Sequence, residues 1–305
     1  MGLGPCLSYG VPQGILGRSS WHECPAICAD WLSPSHSHVQ GRVVATLGNG
    51  TVAIFHRGAT CQWDLEHPRL LDLGRPHQSI RCALAVGSQV WVGYRNRVYM
   101  VEPRGAKIQR YFEVIGRAES QVRHMVLAGD GVWVSVRLDP ILRLFHAATN
   151  QPLQEIDLTP FVHSMFGPNT LGFSLHVSAL GCFSERLWIG TTSGTILTVP
   201  FASGELRCWG RWVPLALITP DGQPSPPGVC VTTPLSSDPP HLFAPYCAME
   251  HAQASYHGHR DAVRFFICVP GTGQGGSQDA WVLFSALSGE WVLMVGAGEV
   301  GSQDS

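Results

Sequence analysis

The sequence predicts an all-β repeat protein, a WD-repeat-like β-propeller that is incomplete or open and has five to six blade-like units. Three observations lead there. The 34 Gly and 22 Pro fall between short apolar runs, and Gly supplies positive φ while Pro punctuates turns. A hairpin template with a Trp at a fixed place recurs along the chain. Its copies are spaced at about 40–50 residues, the length of a blade with about four strands.

The elements follow in order. Residues 1–40 mix Gly, Pro, Ser and His with isolated Trp21 and Trp31, show no strand period and are expected to be poorly ordered. From Gly41 the character changes. Arg42-Val-Val-Ala-Thr-Leu-Gly-Asn-Gly-Thr-Val-Ala-Ile-Phe55 reads as two β-rich runs around a tight hairpin turn. Gln89-Val-Trp-Val-Gly-Tyr94, Gly131-Val-Trp-Val-Ser-Val136 and Arg186-Leu-Trp-Ile-Gly-Thr191 each place a Trp between apolar residues. Each is followed by a polar turn and a second apolar run. Trp91, Trp133 and Trp188 are spaced by 42 and 55 residues, and Val44 holds the equivalent place 47 residues before Trp91. Ala280-Trp-Val-Leu-Phe284 with Trp291-Val-Leu-Met-Val295 is a last copy, its Trp281 lying 93 residues after Trp188. That gap spans two periods, so a further unit is expected within 205–270. The propeller-like domain is expected over 41–296 and a flexible tail over 297–305. The four template Trp residues are expected in the core, because a large flat ring on a central strand fills the space between blades and its N–H needs only one partner. The competing arrangement, a β-sandwich of unrelated hairpins, does not account for three near-identical Trp contexts.

Composition excludes several classes. With 45% hydrophobic and 14% charged residues the chain can bury a sizeable core. A net charge of -2 provides no long-range field for nucleic acid or an anionic membrane. No apolar run reaches the roughly 18 residues of a membrane span, and the first 13 residues lack the charged and apolar regions of a signal peptide. A cytoplasmic location follows as an expectation. The 10 Cys are scattered through a long chain, where reduced thiols are the default. Gly2 raises N-myristoylation, but Cys6 stands where that motif prefers Ser or Thr.

Several runs carry a family resemblance. These are Leu71-Asp-Leu-Gly-Arg-Pro-His77 with Ser79-Ile-Arg-Cys82, Glu119-Ser-Gln-Val-Arg123, Gly129-Asp-Gly-Val-Trp-Val-Ser135 and Arg137-Leu-Asp139. Leu171-Gly-Phe-Ser174, Pro245-Tyr-Cys247 with Met249, and His257-Gly-His-Arg-Asp-Ala-Val263 continue the pattern. Together, over 41–271, they resemble the carboxy-terminal propeller-like region of the JNK-interacting scaffold proteins, types three and four, the type four branch being nearer. Residues 1–40 match nothing in that pattern, and the likeness fades after Gly276. The resemblance implies a non-catalytic protein-interaction domain of a MAP-kinase scaffold and kinesin/dynein motor-adaptor family acting in vesicle transport. In the family, long coiled coils engage JNK-pathway kinases, kinesin light chain, dynactin and a small GTPase, and this sequence carries no such coiled coil. One blade short, the ring is expected to stay open and to self-associate through unpaired sheet edges.

Candidate site residues are few. His257, His259 and Asp261 form the tightest polar cluster. WD repeats brace a blade with a Gly-His pair and a later Asp, so blade bracing is the expected role rather than metal binding. Cys24, Cys28, His36 and His38 are zinc-compatible ligand types, but structural sites space the His pair more widely. No nucleophile elbow, zinc-protease helix or phosphate loop is present, and Gly271-Thr-Gly-Gln-Gly-Gly276 has no following helix to hold a phosphate. No catalytic residue, metal or cofactor is therefore predicted. Arg95, Arg97, Arg123, Arg137, Asp139 and Arg143 fall on hairpins or strand edges and form a candidate protein-binding rim, since Arg carries much interface energy. The alternatives are a zinc- or ligand-dependent enzyme on a propeller, and a truncated product without independent activity.

Overall fold

The computed structural model describes residues 36–39, 41–58, 62–74, 78–166, 175–202, 228–231, 245–255, 262–270, 280–285 and 291–295. These residues form five antiparallel sheets. The first holds β1 (His36–Val39), β2 (Arg42–Thr46), β3 (Thr51–Arg57) and β4 (Trp63–Asp72). The second holds β5 (Cys82–Val86), β6 (Gln89–Tyr94), β7 (Arg97–Glu102) and β8 (Lys107–Glu113). β9 (Val122–Ala128), β10 (Gly131–Val136), β11 (Ile141–His146) and β12 (Pro152–Asp157) form the third, with β16 (Val229–Val231) added outside β12. β13 (Val177–Phe183), β14 (Arg186–Thr191), β15 (Ile196–Pro200) and β17 (Gln253–Ser255) form the fourth, and β18 (Phe266–Pro270), β19 (Ala280–Ser285) and β20 (Trp291–Val295) the fifth.

The predicted hairpins form, and the template Trp holds the same rung in each. Trp91 is flanked across the sheet by Leu84 and Met100, Trp133 by Val126 and Leu144, Trp188 by Gly181 and Thr198, and Trp281 by Val269 and Val295. Val44 occupies the same rung of the first sheet, between Ser37 and Ile54. The first turn closes as its Asn-Gly chemistry dictates, with the Asn49 side chain accepting from the Thr51 N–H at 3.0 Å.

Strand alternation then sets what each side chain meets. On β6, Val90 and Val92 point into an apolar layer shared with Val44, Val52 and Ile54 of the first sheet. Trp91, between them, points the other way, into a layer with Val132, Val134 and Phe145 of the third. Trp133 likewise enters the layer between the third and fourth sheets, with Leu187, Ile189, Leu197 and Val199. Trp188 joins Val263 and Phe266 at the fourth-to-fifth junction. Trp91, Trp133 and Trp188 are therefore core residues, at 0%, 0% and 5% exposure.

The residue two places after each Trp shares its face. Gly93 and Gly190 hold that place in the second and fourth sheets. A Cβ on Gly93 would sit 2.8 Å from Val122, and one on Gly190 would sit 2.6 Å from Val263. The glycines thus let the innermost strand of the third sheet, and the segment leading into that of the fifth, approach closely. In the third sheet the place is held by Ser135, fully buried, whose hydroxyl finds no partner.

The first strands of successive sheets pack in chain order, β1 on β5, β5 on β9, β9 on β13 and β13 on β18. Sheets that share an inner ring of first strands and meet face to face are propeller blades. Among the described residues no closely packed strand pair joins the fifth blade to the first, and the arrangement is an open fan.

Three expectations change. The first strand begins at His36, inside the segment read as poorly ordered, because His36–Val39 pairs with Val43, Val44, Ala45 and Arg42 of β2. The unit expected within 205–270 is not a separate blade among the described residues. Its segments instead extend neighbouring blades: β16 adds to the third, β17 closes the fourth, and Cys247 bridges Phe201. The 93-residue spacing is therefore an insertion between two strands of one blade. The sequence reads as all-β with no helix placed, and one short helix, α1 (Leu158–Phe166), connects the third and fourth blades. Asp157 caps it, accepting from the Thr159 N–H at 2.9 Å, and Leu158 and Val162 are buried against the blade junction.

The insertion is pegged between blades. The Trp133 Nε1–H donates to the Pro245 carbonyl at 3.3 Å. Gln154 on β12 donates to the Cys247 carbonyl at 3.2 Å and accepts from the Cys247 N–H at 2.8 Å, as a neighbouring strand would. Burial pushes the Cys82 thiol up to about 12 and the Cys182 thiol up to about 11, so both stay protonated and packed. Replacing Trp133 with Ala removes a fully buried ring and its hydrogen bond, and should destabilise the chain by about 3–5 kcal/mol. Urea unfolding followed by far-UV circular dichroism reads this, and an unchanged midpoint would contradict the interblade placement.

Candidate interaction surface

Within a blade the chain runs outward strand by strand, so strand ends alternate between two faces. One face carries the turns between second and third strands together with the connections from one blade to the next. The β6–β7 turn, the β8–β9 connection and the β10–β11 turn all lie on it, and they hold Arg95, Arg137 and Asp139 of the charged residues named above.

The structure separates those residues. Asp139 and Arg143 are not on a solvent-facing rim, being 3% and 6% exposed. Asp139 Oδ1 accepts from the Ile141 N–H at 3.1 Å, and Oδ2 pairs with Arg143 Nη1 at 3.1 Å. Arg143 also donates to the Ile141 carbonyl at 3.3 Å and pairs through Nε with Glu155 at 3.3 Å. The two residues are a brace beneath the β10–β11 turn, because a buried carboxylate and guanidinium must be paired and hydrogen-bonded. Arg117, 63% exposed, reaches the same carboxylate at 3.8 Å from the β8–β9 connection.

Arg97 lies across β8, with Nη2 2.7 Å from Glu113 and its guanidinium 4.9 Å over the Tyr111 ring. The Glu113 hydrogen bond raises its pKa further. Arg95 occupies the β6–β7 turn at φ 54, half-buried, and its carbonyl accepts from the Val122 N–H at 2.7 Å. Arg123 sits at the register shift on β9 and is half-buried. Arg137 alone of the six is exposed, while its backbone N–H is tied to the Gln121 carbonyl at 2.7 Å. His257, His259 and Asp261 lie outside the described residues, as do Cys24 and Cys28, and His36 and His38 are on β1.

The residue that sequence reasoning missed is Leu138. It is 62% exposed at the tip of the β10–β11 turn and has φ 59, a left-handed conformation that a bulky side chain rarely adopts. The brace beneath it holds that conformation. Nothing local in Arg137-Leu-Asp139 signals it, because the strain depends on Asp139 being anchored from β11 and the β8–β9 connection.

Beside this tip, His124 is cross-strand from Ser135, and its Nε2 is buried without a partner. Burial pushes its pKa down to about 3, with the Arg123 charge adding to the shift. The ring is thus neutral in the folded chain and protonates in the unfolded one near pH 6.5. The unfolded state therefore binds more protons between about pH 6.5 and 3, and the contribution of His124, complete above that window, is lost as pH falls through it.

Two outcomes follow for stability. Asp139→Ala leaves Arg143 without its buried partner and should cost about 3–5 kcal/mol, whereas Arg137→Ala should stay within about 0.5 kcal/mol of the parent. Equal losses in chemical denaturation would contradict the division into brace and tip. His124→Gln should flatten the fall in melting temperature between pH 7 and pH 4, and an unaltered slope would show that His124 is not desolvated.

The family model described as a WD40 repeated domain matches residues 24–205. The match begins upstream of residue 41, so part of the amino-terminal segment expected to be unlike the family belongs with it. The chain is 48% identical over 275 residues to C-Jun-amino-terminal kinase-interacting protein 4 of Mus musculus, covering 88% of this chain and 20% of that protein. It is 42% identical over 288 residues to C-Jun-amino-terminal kinase-interacting protein 3 of Mus musculus, covering 88% and 22%. Rho guanine nucleotide exchange factor 17 of Mus musculus is 29% identical over 191 residues, covering 61% and 9%. The chain thus spans about a fifth of the length of the JNK-interacting relatives it matches. Among solved structures, the WD40 β-propeller domain of Doa1 is similar at TM-score 0.49 and 9% identity, over 85% of this chain and 62% of that one. With more than half of its length matched and its Trp hairpins stacked as blades, the chain belongs to the family of WD40 repeated domains, in the form found in the JNK-interacting proteins.

Proposed function

We propose that the chain is a non-catalytic protein-interaction domain that contacts its partner through the β10–β11 tip. The observation that carries this is Leu138, an exposed aliphatic residue held at positive φ over a buried ion pair. Strained backbone that the surrounding structure over-determines is concentrated at functional positions. Arg117 and Arg137 flank the tip, and guanidinium groups are enriched among the residues that carry interface energy.

The likeness to JNK-interacting proteins makes components of JNK kinase cascades, and the kinesin and dynein motors of vesicle transport, the partners to test first, in the cytoplasm. The likeness to a protein named for guanine nucleotide exchange argues that the module itself is a general docking unit. Specificity then resides in tips such as 137–138 rather than in the blades. Self-association through the edges of the open fan is the second contact proposed.

Leu138→Asn tests the tip, because Asn tolerates positive φ. Stability should be unchanged or raised by up to about 1 kcal/mol, while capture of partners from cell lysate falls. Arg137→Glu should reduce the same captured species. A captured set identical to that of the parent for both variants would overturn the proposal, and stoichiometric zinc in the purified chain would favour an enzymatic reading instead. Self-association predicts light-scattering mass that rises with concentration at micromolar levels, and a constant monomer mass contradicts it.

A further inference from the structure

We infer that the outer edge of the third blade is a strand-addition site, which the chain fills with its own Val229–Val231 until an extended β-branched segment of a partner protein replaces it. The site lies on the circumference of the blade, away from the β10–β11 tip, and does not depend on that tip being functional.

The third blade has five strands where the others have four or three among the described residues. Its extra strand comes from a distant part of the chain: Val229 follows Asp157 by 72 residues, with β13, β14 and β15 lying between them in sequence. The edge of β12 thus accepts a strand that chain connectivity does not deliver to it. The outer strands of the first two blades are guarded. β4 contains Pro68 and a register shift opposite it, and β8 carries exposed Lys107, Arg110 and Glu113, devices that discourage edge pairing. On β12 the shift falls between Leu144 and Phe145 of its partner strand, at the other end, and leaves the stretch opposite β16 regular.

The grip on β16 is slight. Its partners are Gln154 for Val231, Glu155 for Cys230 and Ile156 for Val229. The Asp157 N–H donates to the Gly228 carbonyl at 2.8 Å. Antiparallel alternation then makes Glu155 and Cys230 the next hydrogen-bonded pair, and makes Val229 the residue whose side chain lies close to its opposite number. Gly228 and Cys230 are exposed, and Val229 packs on the core layer between the third and fourth blades. Three residues are the lower limit for a strand. Backbone bonds and the apolar Val229 side chain hold it, which is how strand-addition sites recognise extended peptides.

The present occupant states the preferred chemistry. Gly228 has φ +91, and a Cβ there would lie 2.9 Å from the Asp157 carbonyl oxygen and 3.2 Å from Pro160. The residue leading into the strand must therefore be glycine. The Val229 position takes a β-branched aliphatic residue, and the next position, beside the half-exposed Glu155 carboxylate, takes any side chain. A partner segment reads Gly, β-branched, any residue.

The test uses the full chain and a fluorescent peptide of residues 227–233 with Ser at the cysteine position. In Cys230→Pro the internal strand loses its ladder N–H. An edge that the chain fills nine-tenths of the time weakens an outside strand about tenfold, so the variant should bind the peptide at least that much more tightly than the parent. Val229→Asp, which removes the apolar contact and keeps the backbone bonds, should act in the same direction. Adding Glu155→Pro should abolish binding, because the Glu155 N–H faces β16 rather than β11. Equal binding by parent and variants, no binding by either variant, or binding that survives Glu155→Pro would each overturn the proposal. So would loss of the fold in both variants, since a replaceable strand cannot be required for folding.

Discussion

On β6 an indole ring points to one side of the strand and two valines point to the other, and this division joins the second blade to both of its neighbours. β10 and β14 repeat the division around Trp133 and Trp188. The constraint is geometric: side chains on a strand alternate, sheets pack about 10 Å apart, and a Trp spans that gap where the other face offers branched aliphatics. Gly93 and Gly190 follow from the same packing, because Val122 on the inner strand of the next blade and Val263 ahead of β18 pass over them. Removing one ring leaves a void in the layer between two sheets. Stability is thus distributed over junctions rather than over one central core.

The junction between the third and fourth blades carries more than packing. Trp133 and Gln154 both use polar side-chain atoms to hold the backbone at Pro245 and Cys247, so a long insertion is anchored at its far end by residues more than 90 positions earlier. The same blade holds the Asp139–Arg143 brace and receives β16 at its edge. Structural rigidity and candidate binding features therefore coincide in one blade. A braced turn presents a side chain at little ordering cost on binding, which is the physical advantage of placing Leu138 there.

Much of the blade architecture could be read from the sequence because it is local. Val90-Trp-Val92 and its copies announce strand period, hairpin register and burial within six residues. The WD40 match then supports the same blades. What was not legible depends on partners far along the chain. Asp139 and Arg143 look like surface charges, since nothing in their own hairpin shows that Arg117 and Glu155 enclose them. β16 and β17 are each three residues long, too short for a periodic signal, and both are placed by blades formed earlier. α1 did leave a signal, Asp157 ahead of Pro160 in the first turn of a short apolar run, which the β-rich context hid.

Hydrogen–deuterium exchange on the intact chain tests the central claim most directly, because it reads the blade junctions one by one. Junction-centred stability predicts that amides of β6, β10 and β14 exchange most slowly. It predicts in addition that the Cys247 amide, held by the Gln154 side chain, exchanges as slowly as those of β10. Exchange at Cys247 as fast as at the exposed outer strand β8, or protection of β10 no greater than that of β8, would contradict the account.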